Sequence, residues 1–154
     1  MDILFWRHAE AVVAAPGTRD DDRKLTAKGR TQARRVGGWL NAHLPDGCRI
    51  LVSPAVRTRQ TADALGRPFE IDPRLGTSTT PEAVLQAALS SGGKAVLLVG
   101  HQPVLGMVLG RVLFSDLDGA ELSVRKGTGW WVRIEGTLPG KAKLLAVMGP
   151  ELSS

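Results

Sequence analysis

The chain has 154 residues, 43% of them hydrophobic and 23% charged, with 20 Lys or Arg against 15 Asp or Glu and a formal net charge of +5. This length supports one packed core, so a single domain is expected over residues 1–154. No stretch approaches the roughly 20 uninterrupted apolar residues of a membrane span, and the N-terminus shows no signal-peptide pattern, which makes the cytoplasm the expected address. Cys48 is the only cysteine and excludes an intramolecular disulfide. The basic residues are scattered and not interleaved with aromatics, which argues against nucleic acid and for anionic substrates or acidic protein partners.

The chain opens on an apolar run, Ile3-Leu4-Phe5-Trp6, that reads as a strand and delivers Arg7-His8 at its end. The first helix is predicted from Thr26 as N-cap, with Ala33, Val36, Gly37, Leu40 and Leu44 on one face and Pro45-Asp46-Gly47 as its stop. Ile50-Leu51-Val52 forms the next strand. It leads into a second helix with Ser53 as N-cap and Pro54 at the first helical position, running to about Leu65 before Gly66 and Pro68.

A third helix is expected from Thr80-Pro81, burying Val84, Leu85, Ala88 and Leu89, and is followed by the strand Ala95-Val96-Leu97-Leu98-Val99 and by Gly100-His101-Gln102-Pro103. The fourth helix, Pro103 to about Leu113, is apolar nearly all round. Its Gly106 and Gly110 suit close packing on the sheet; the helix is too short to span a membrane and carries Arg111. Trp130-Trp131-Val132-Arg133-Ile134 and Lys143-Leu144-Leu145-Ala146-Val147 read as a hairpin through a Gly/Pro-containing turn, with Trp130 and Trp131 as packing residues. Strands alternating with helices predict an α/β fold: a three-layer α/β/α sandwich on a mostly parallel central sheet, with an antiparallel edge from the hairpin.

In open α/β sheets ligands bind at the carboxyl ends of the strands, so the segments carrying His8, Arg57 and His101 are expected to face one crevice. Two Arg and two His suit a phosphoryl group. A neutral imidazole can attack phosphorus, which makes His8 the candidate nucleophile. Arg7 and Arg57 offer the bidentate geometry that charge on phosphoryl oxygens requires, and His101 can donate a further hydrogen bond. Arg57 falls in the first turn of its helix, where free N–H groups favour anions, on a face shared with Gln60, Thr61 and Ala64. His8, His43 and His101 are the only histidines that could form a three-ligand metal set, but the neighbouring arginines disfavour a cation, and no metal or cofactor is expected.

Arg7-His8-Ala9-Glu10, Leu25-Thr26-Ala27-Lys28-Gly29, Ser53-Pro54-Ala55-Val56-Arg57-Thr58-Arg59-Gln60-Thr61-Ala62 and Gly100-His101-Gln102-Pro103 together resemble the histidine phosphatase superfamily, and most closely its small SixA-type phosphohistidine phosphatases. The resemblance covers most of the chain. It implies a phosphoglycerate mutase-like fold, His8 as the residue that becomes phosphorylated, Arg7, Arg57 and His101 as phosphoryl ligands, and no metal. Ala9 departs from the Gly usual in the wider superfamily, which implies that no positive φ is needed there. Asp20-Asp21-Asp22-Arg23 resembles the charged loop of the small members, with Arg23 a candidate for the pocket rim.

Larger relatives take a carboxylic acid from the connection after the third strand. Here the corresponding segment, Asp72 to Gly93, offers mainly Glu82, and Glu10 is the other candidate proton donor. The imidazole of phosphohistidine leaves more readily than an alkoxide, so a site without a dedicated acid points to phosphohistidine on a protein. The expected partner is a histidine phosphotransfer domain or similar carrier. A small phosphomonoester is the alternative substrate, and a noncatalytic phosphate- or phosphohistidine-binding module is a third reading that His8 disfavours. No G-x-G-x-x-G follows the first strand, and phosphoglycerate mutase activity is disfavoured by the short connection.

Overall fold

The computed structural model describes residues 1–114, 122–138 and 141–153. In chain order the elements are β1 (Asp2–Arg7), α1 (Ala27–His43), β2 (Arg49–Val52), α2 (Val56–Asp63), β3 (Glu70–Ile71), α3 (Pro81–Leu89), β4 (Ala95–Gly100), α4 (Val104–Leu113), β5 (Gly129–Glu135) and β6 (Lys141–Met148). They build one six-stranded sheet in the order β3-β2-β4-β1-β5-β6. The first four strands of that order pair in parallel, while β5 and β6 run antiparallel, as expected of the terminal hairpin. Pro139 and Gly140 of the expected turn lie outside the described residues.

Strands β1, β2 and β4 bury both faces, and alternation along them divides the core in two, while the short edge strand β3 is exposed. Leu4 and Trp6 of β1, Ile50 and Val52 of β2 and Leu97 and Val99 of β4 meet α1 through Val36 and Leu40, its C-cap Leu44, and α2 through Ala62. Ile3, Phe5, Leu51, Val96 and Leu98 point the other way, onto Val84, Ala87 and Ala88 of α3 and Leu105, Val108 and Leu109 of α4. This is the expected three-layer sandwich. Trp130 and Trp131 divide the same way, Trp130 packing with the α3 and α4 layer and Trp131 with the α1 layer. Trp131 also donates its indole N–H to Asp2 and meets Trp39 edge-on.

Local chemistry sets the helix ends, with two departures from expectation. Thr26 and Thr80 cap α1 and α3, accepting from the amides of Gly29 and Ala83. Ser53 does not cap α2 and Pro54 is not its first position: the helix begins at Val56 with Ala55 as N-cap, and the Ser53 hydroxyl instead meets His101 and the Ala55 amide. On α3 the buried residues are Val84, Ala87 and Ala88, with Leu85 partly buried, whereas Leu89 is 47% exposed at the last position of the helix.

Two glycines admit backbone where a side chain would block it. A Cβ on Gly29 would run into the Glu10 carbonyl oxygen, so Gly29 lets the segment after β1 lie directly on α1. A Cβ on Gly106 would meet the Leu122 carbonyl. Gly106 therefore packs against the segment at Leu122 and not the sheet, a correction to the expected role; Gln102 clamps the contact by donating to the Leu122 carbonyl and accepting from the Gly106 amide.

Candidate active site

Insertion of β4 between β1 and β2 brings three carboxyl ends side by side, with Arg7 opposite Gly100 and Val52 opposite Val99. The His8 amide donates to the Gly100 carbonyl and the Ser53 amide to the Val99 carbonyl, so both chains leave the sheet in fixed directions. A cavity of about 380 Å³ opens at this edge, lined by Arg7, His8, Asp20, Arg23, Arg57 and His101, with Thr77, Gln102 and Lys126 completing it. The four residues selected in sequence share this cavity, and Arg23 lines it with them.

His8 is 6% exposed in this cavity. Its Nδ1 lies 2.7 Å from the Ala9 carbonyl oxygen. A carbonyl only accepts, so Nδ1 carries the proton and Nε2 keeps a free lone pair. Burial, reinforced by His101, Arg57 and Arg7, pushes its pKa down from 6.5 to about 3, so the ring is neutral at physiological pH. Ala9 is fully buried, and its amide donates to the Thr61 hydroxyl at 3.1 Å. Gln60 accepts from the Leu25 amide at 2.8 Å, so this face of α2 holds the β1–α1 connection at two points.

Arg57 lies in the first turn of α2 with its side chain 5% exposed. The Nη1 group donates to the Asp20 main-chain carbonyl at 2.7 Å and Nη2 to the Asp20 carboxylate at 2.9 Å. Asp20 also receives Arg23 at 3.0 Å, and these two guanidinium groups hold its carboxyl below the usual range. Next to it, the Asp21 carboxylate accepts from the Thr77 hydroxyl at 3.0 Å. The charged segment before α1 thus forms a strap along the cavity, tied to α2 through Arg57 and to Thr77. Nothing in the pattern Asp20-Asp21-Asp22-Arg23 distinguishes Asp20 from its neighbours.

His101 sits with its ring centroid 5.4 Å from that of His8. Its Nε2 is 2.7 Å from Ser53 Oγ, and Nδ1 is buried without a partner among the described residues. Burial, then Arg57, lowers its pKa from 6.5 to about 4, so the free protein holds His101 neutral. Arg7 donates Nη1 to the Val124 carbonyl at 2.9 Å, and its buried Nε has no partner among the described residues. The Nε of Arg57 is in the same position. Buried donors without partners at one cavity suit an anion that accepts from them.

Neither candidate proton donor belongs to this cavity. Glu82 stands on the surface, paired with Arg111 at 2.5 Å. Glu10 accepts from the Thr26 hydroxyl at 2.7 Å and lines a neighbouring recess beyond Arg7. His43 is also elsewhere, stacked on Trp39 at 4.6 Å with Nδ1 bonded to the Trp39 carbonyl, so the three histidines are not assembled into one site.

An α/β sheet with imidazole and guanidinium groups gathered at its carboxyl edge is the arrangement of a known class, and comparison identifies it. The profile of the histidine phosphatase superfamily, branch 1, matches residues 3–76, and the chain belongs to that superfamily. The phosphohistidine phosphatase SixA of Escherichia coli is 30% identical over 118 residues, covering 71% of this chain and 72% of its own. An uncharacterised protein of Mycobacterium tuberculosis is 32% identical over 161 residues, covering 94% of this chain and 99% of its own. Among solved structures, that of the protein histidine phosphatase SixA complexed with tungstate has the same fold, with a TM-score of 0.79 at 24% identity and 97% of each chain covered.

Proposed function

We propose that the chain is a phosphatase that removes the phosphoryl group from phosphohistidine on a partner protein, working through a covalent intermediate on His8. The observation that carries this reading is the His8 tautomer: Nδ1 is held by the Ala9 carbonyl, and Nε2 is left free in a cavity shared with Arg7, Arg57 and His101. In the first step Nε2 attacks phosphorus, the bond from phosphorus to the substrate nitrogen breaks, and the departing imidazole keeps that electron pair, leaving neutral because its other ring nitrogen already carries a proton. Charge on the transferring oxygens is met by Arg7 and Arg57, with His101 donating alongside. In the second step water attacks phosphorus, the bond to Nε2 breaks, and inorganic phosphate leaves with His8 restored.

The choice of phosphohistidine is supported by the carboxylates. Among the described residues Asp20 is the one carboxylate lining the cavity, and Arg23 and Arg57 keep it ionised. An ionised carboxylate cannot protonate a departing alkoxide, whereas an imidazole leaves with less assistance. The similarity to the Escherichia coli phosphohistidine phosphatase SixA agrees with this substrate. The partner is a histidine phosphotransfer domain or similar carrier, met in the cytoplasm.

Wild type and His8→Ala are assayed for phosphate release from a phosphohistidine-bearing protein and, separately, from a small phosphomonoester. The proposal predicts release from the protein, lost in His8→Ala. A strong preference for the ester moves the assignment to a small-molecule phosphatase, and release from neither leaves a binding module.

A further inference from the structure

The two-step chemistry leaves one task unassigned: water must lose a proton as it attacks the phosphorylated His8. We infer that Asp20 is the general base for this step, held in place by the same guanidinium that grips the phosphoryl group. The inference rests on the covalent mechanism proposed above but is independent of which donor supplies the phosphoryl group.

Placement carries the argument. In-line displacement puts the attacking and leaving groups on opposite sides of phosphorus. His8 is 6% exposed and shares the cavity with Asp20, so the group opposite Nε2 lies in that cavity; the substrate imidazole departs into it and water enters from it. The Asp20 side chain lines the same cavity, 56% exposed and so within reach of solvent, and is the one carboxylate there among the described residues. Glu10 and Glu82 are excluded by position, Glu10 beyond Arg7 and Glu82 on the surface against Arg111.

Arg57 can serve the carboxylate and the phosphoryl group together. Its Nη1 and Nη2 reach Asp20 from one side, while Nε is buried at the cavity without a partner among the described residues. A phosphoryl oxygen accepting there is joined through one rigid planar group to the Asp20 carboxylate. Arg23 fixes the second carboxylate oxygen, which leaves Asp20 anchored yet open to solvent on its outer side. With phosphorus bonded to Nε2, the water oxygen forms its bond to phosphorus and its proton passes to the Asp20 carboxylate. The electron pair of the breaking phosphorus–nitrogen bond returns to Nε2, and the Asp20 proton then goes to solvent.

The test separates the two chemical steps. Phosphoenzyme is formed with a small phosphoramidate as donor, and its formation and breakdown are followed by rapid quench in wild type, Asp20→Asn and Asp20→Ala. Breakdown in both variants is expected to slow by about 100-fold while formation changes little, so phosphoenzyme accumulates. Added formate is expected to restore breakdown in Asp20→Ala, because a free carboxylate can take the proton. Breakdown at the wild-type rate, or equal slowing of both steps without formate rescue, assigns Asp20 to the strap alone and overturns the inference. Absence of any phosphoenzyme in wild type removes the covalent mechanism, and this step with it.

Discussion

Ser53 Oγ lies 2.7 Å from Nε2 of His101, joining the ends of β2 and β4 inside the site. Ser53 is fully buried, its amide bonded to the Val99 carbonyl and its carbonyl accepting from the Thr58 hydroxyl. The contact fixes the His101 ring about its long axis and turns the unpartnered Nδ1 away from Ser53. Ser53→Ala leaves a buried ring nitrogen without its partner. Stability is expected to fall by about 1–2 kcal/mol in a denaturant melt. The kcat for phosphohistidine hydrolysis is expected to fall by about 10-fold, with partial recovery in Ser53→Thr. An unchanged kcat in Ser53→Ala shows that the ring is oriented by other means.

Burial of neutral imidazoles sets a pH dependence. His8 and His101 titrate near 3 and 4 in the folded protein, against 6.5 without that environment. Between those values the unfolded chain binds more protons, so stability is full above the ordinary histidine pKa and is lost as pH falls through it toward the folded values. Thermal melts are expected to show Tm falling on acidification from about pH 7 to about pH 4.5, less steeply in His101→Gln. Ring NMR signals of His8 are expected to stay in the neutral form over that range. A His8 titration near 6.5 contradicts the environment described.

The Arg57 guanidinium donates to Asp20 through two separate nitrogens, a geometry that an ammonium cannot reproduce. Arg57→Lys is therefore expected to lower kcat/KM by about 100-fold, since it loosens both the strap and the phosphoryl cradle. Glu82→Gln is expected to leave kcat/KM within about two-fold, because Glu82 pairs with Arg111 at the surface, away from the cavity. Equal losses in the two variants contradict the placement of the proton-handling groups.

Gly29→Ala places a methyl group against the Glu10 carbonyl. The segment after β1 must shift or α1 must move, at a cost of about 1–3 kcal/mol. A chemical denaturation curve measures it. A loss below ~0.5 kcal/mol shows that the close approach relaxes without strain.

The sheet, its hairpin and the clustering of Arg7, His8, Arg57 and His101 were legible in sequence because each rests on a short-range signal. Apolar runs end at the reactive residues, and strand-end placement follows from the α/β architecture. What failed needed partners distant in sequence. A serine before a helix looks like an N-cap until the strand order brings His101 beside it, as Ser53 shows. Glu82 fitted an acid by its position in the chain, yet α3 presents it to Arg111 on the surface. Asp20 carried no mark among three consecutive aspartates, and only the packing of the strap against α2 selects it. Leu89 fits the spacing from Leu85, yet it is 47% exposed at the last residue of α3 while Ala87 and Ala88 take the covered face.

The central claim is that His8 becomes phosphorylated through its free Nε2. The most direct measurement is trapping of the phosphoenzyme at alkaline pH after brief exposure to a phosphohistidine donor, followed by mass spectrometric mapping and phosphorus NMR. Phosphate on Nε2 of His8, absent in His8→Ala, is the predicted result. Phosphate on another residue, on Nδ1, or none at all while turnover proceeds, contradicts the account.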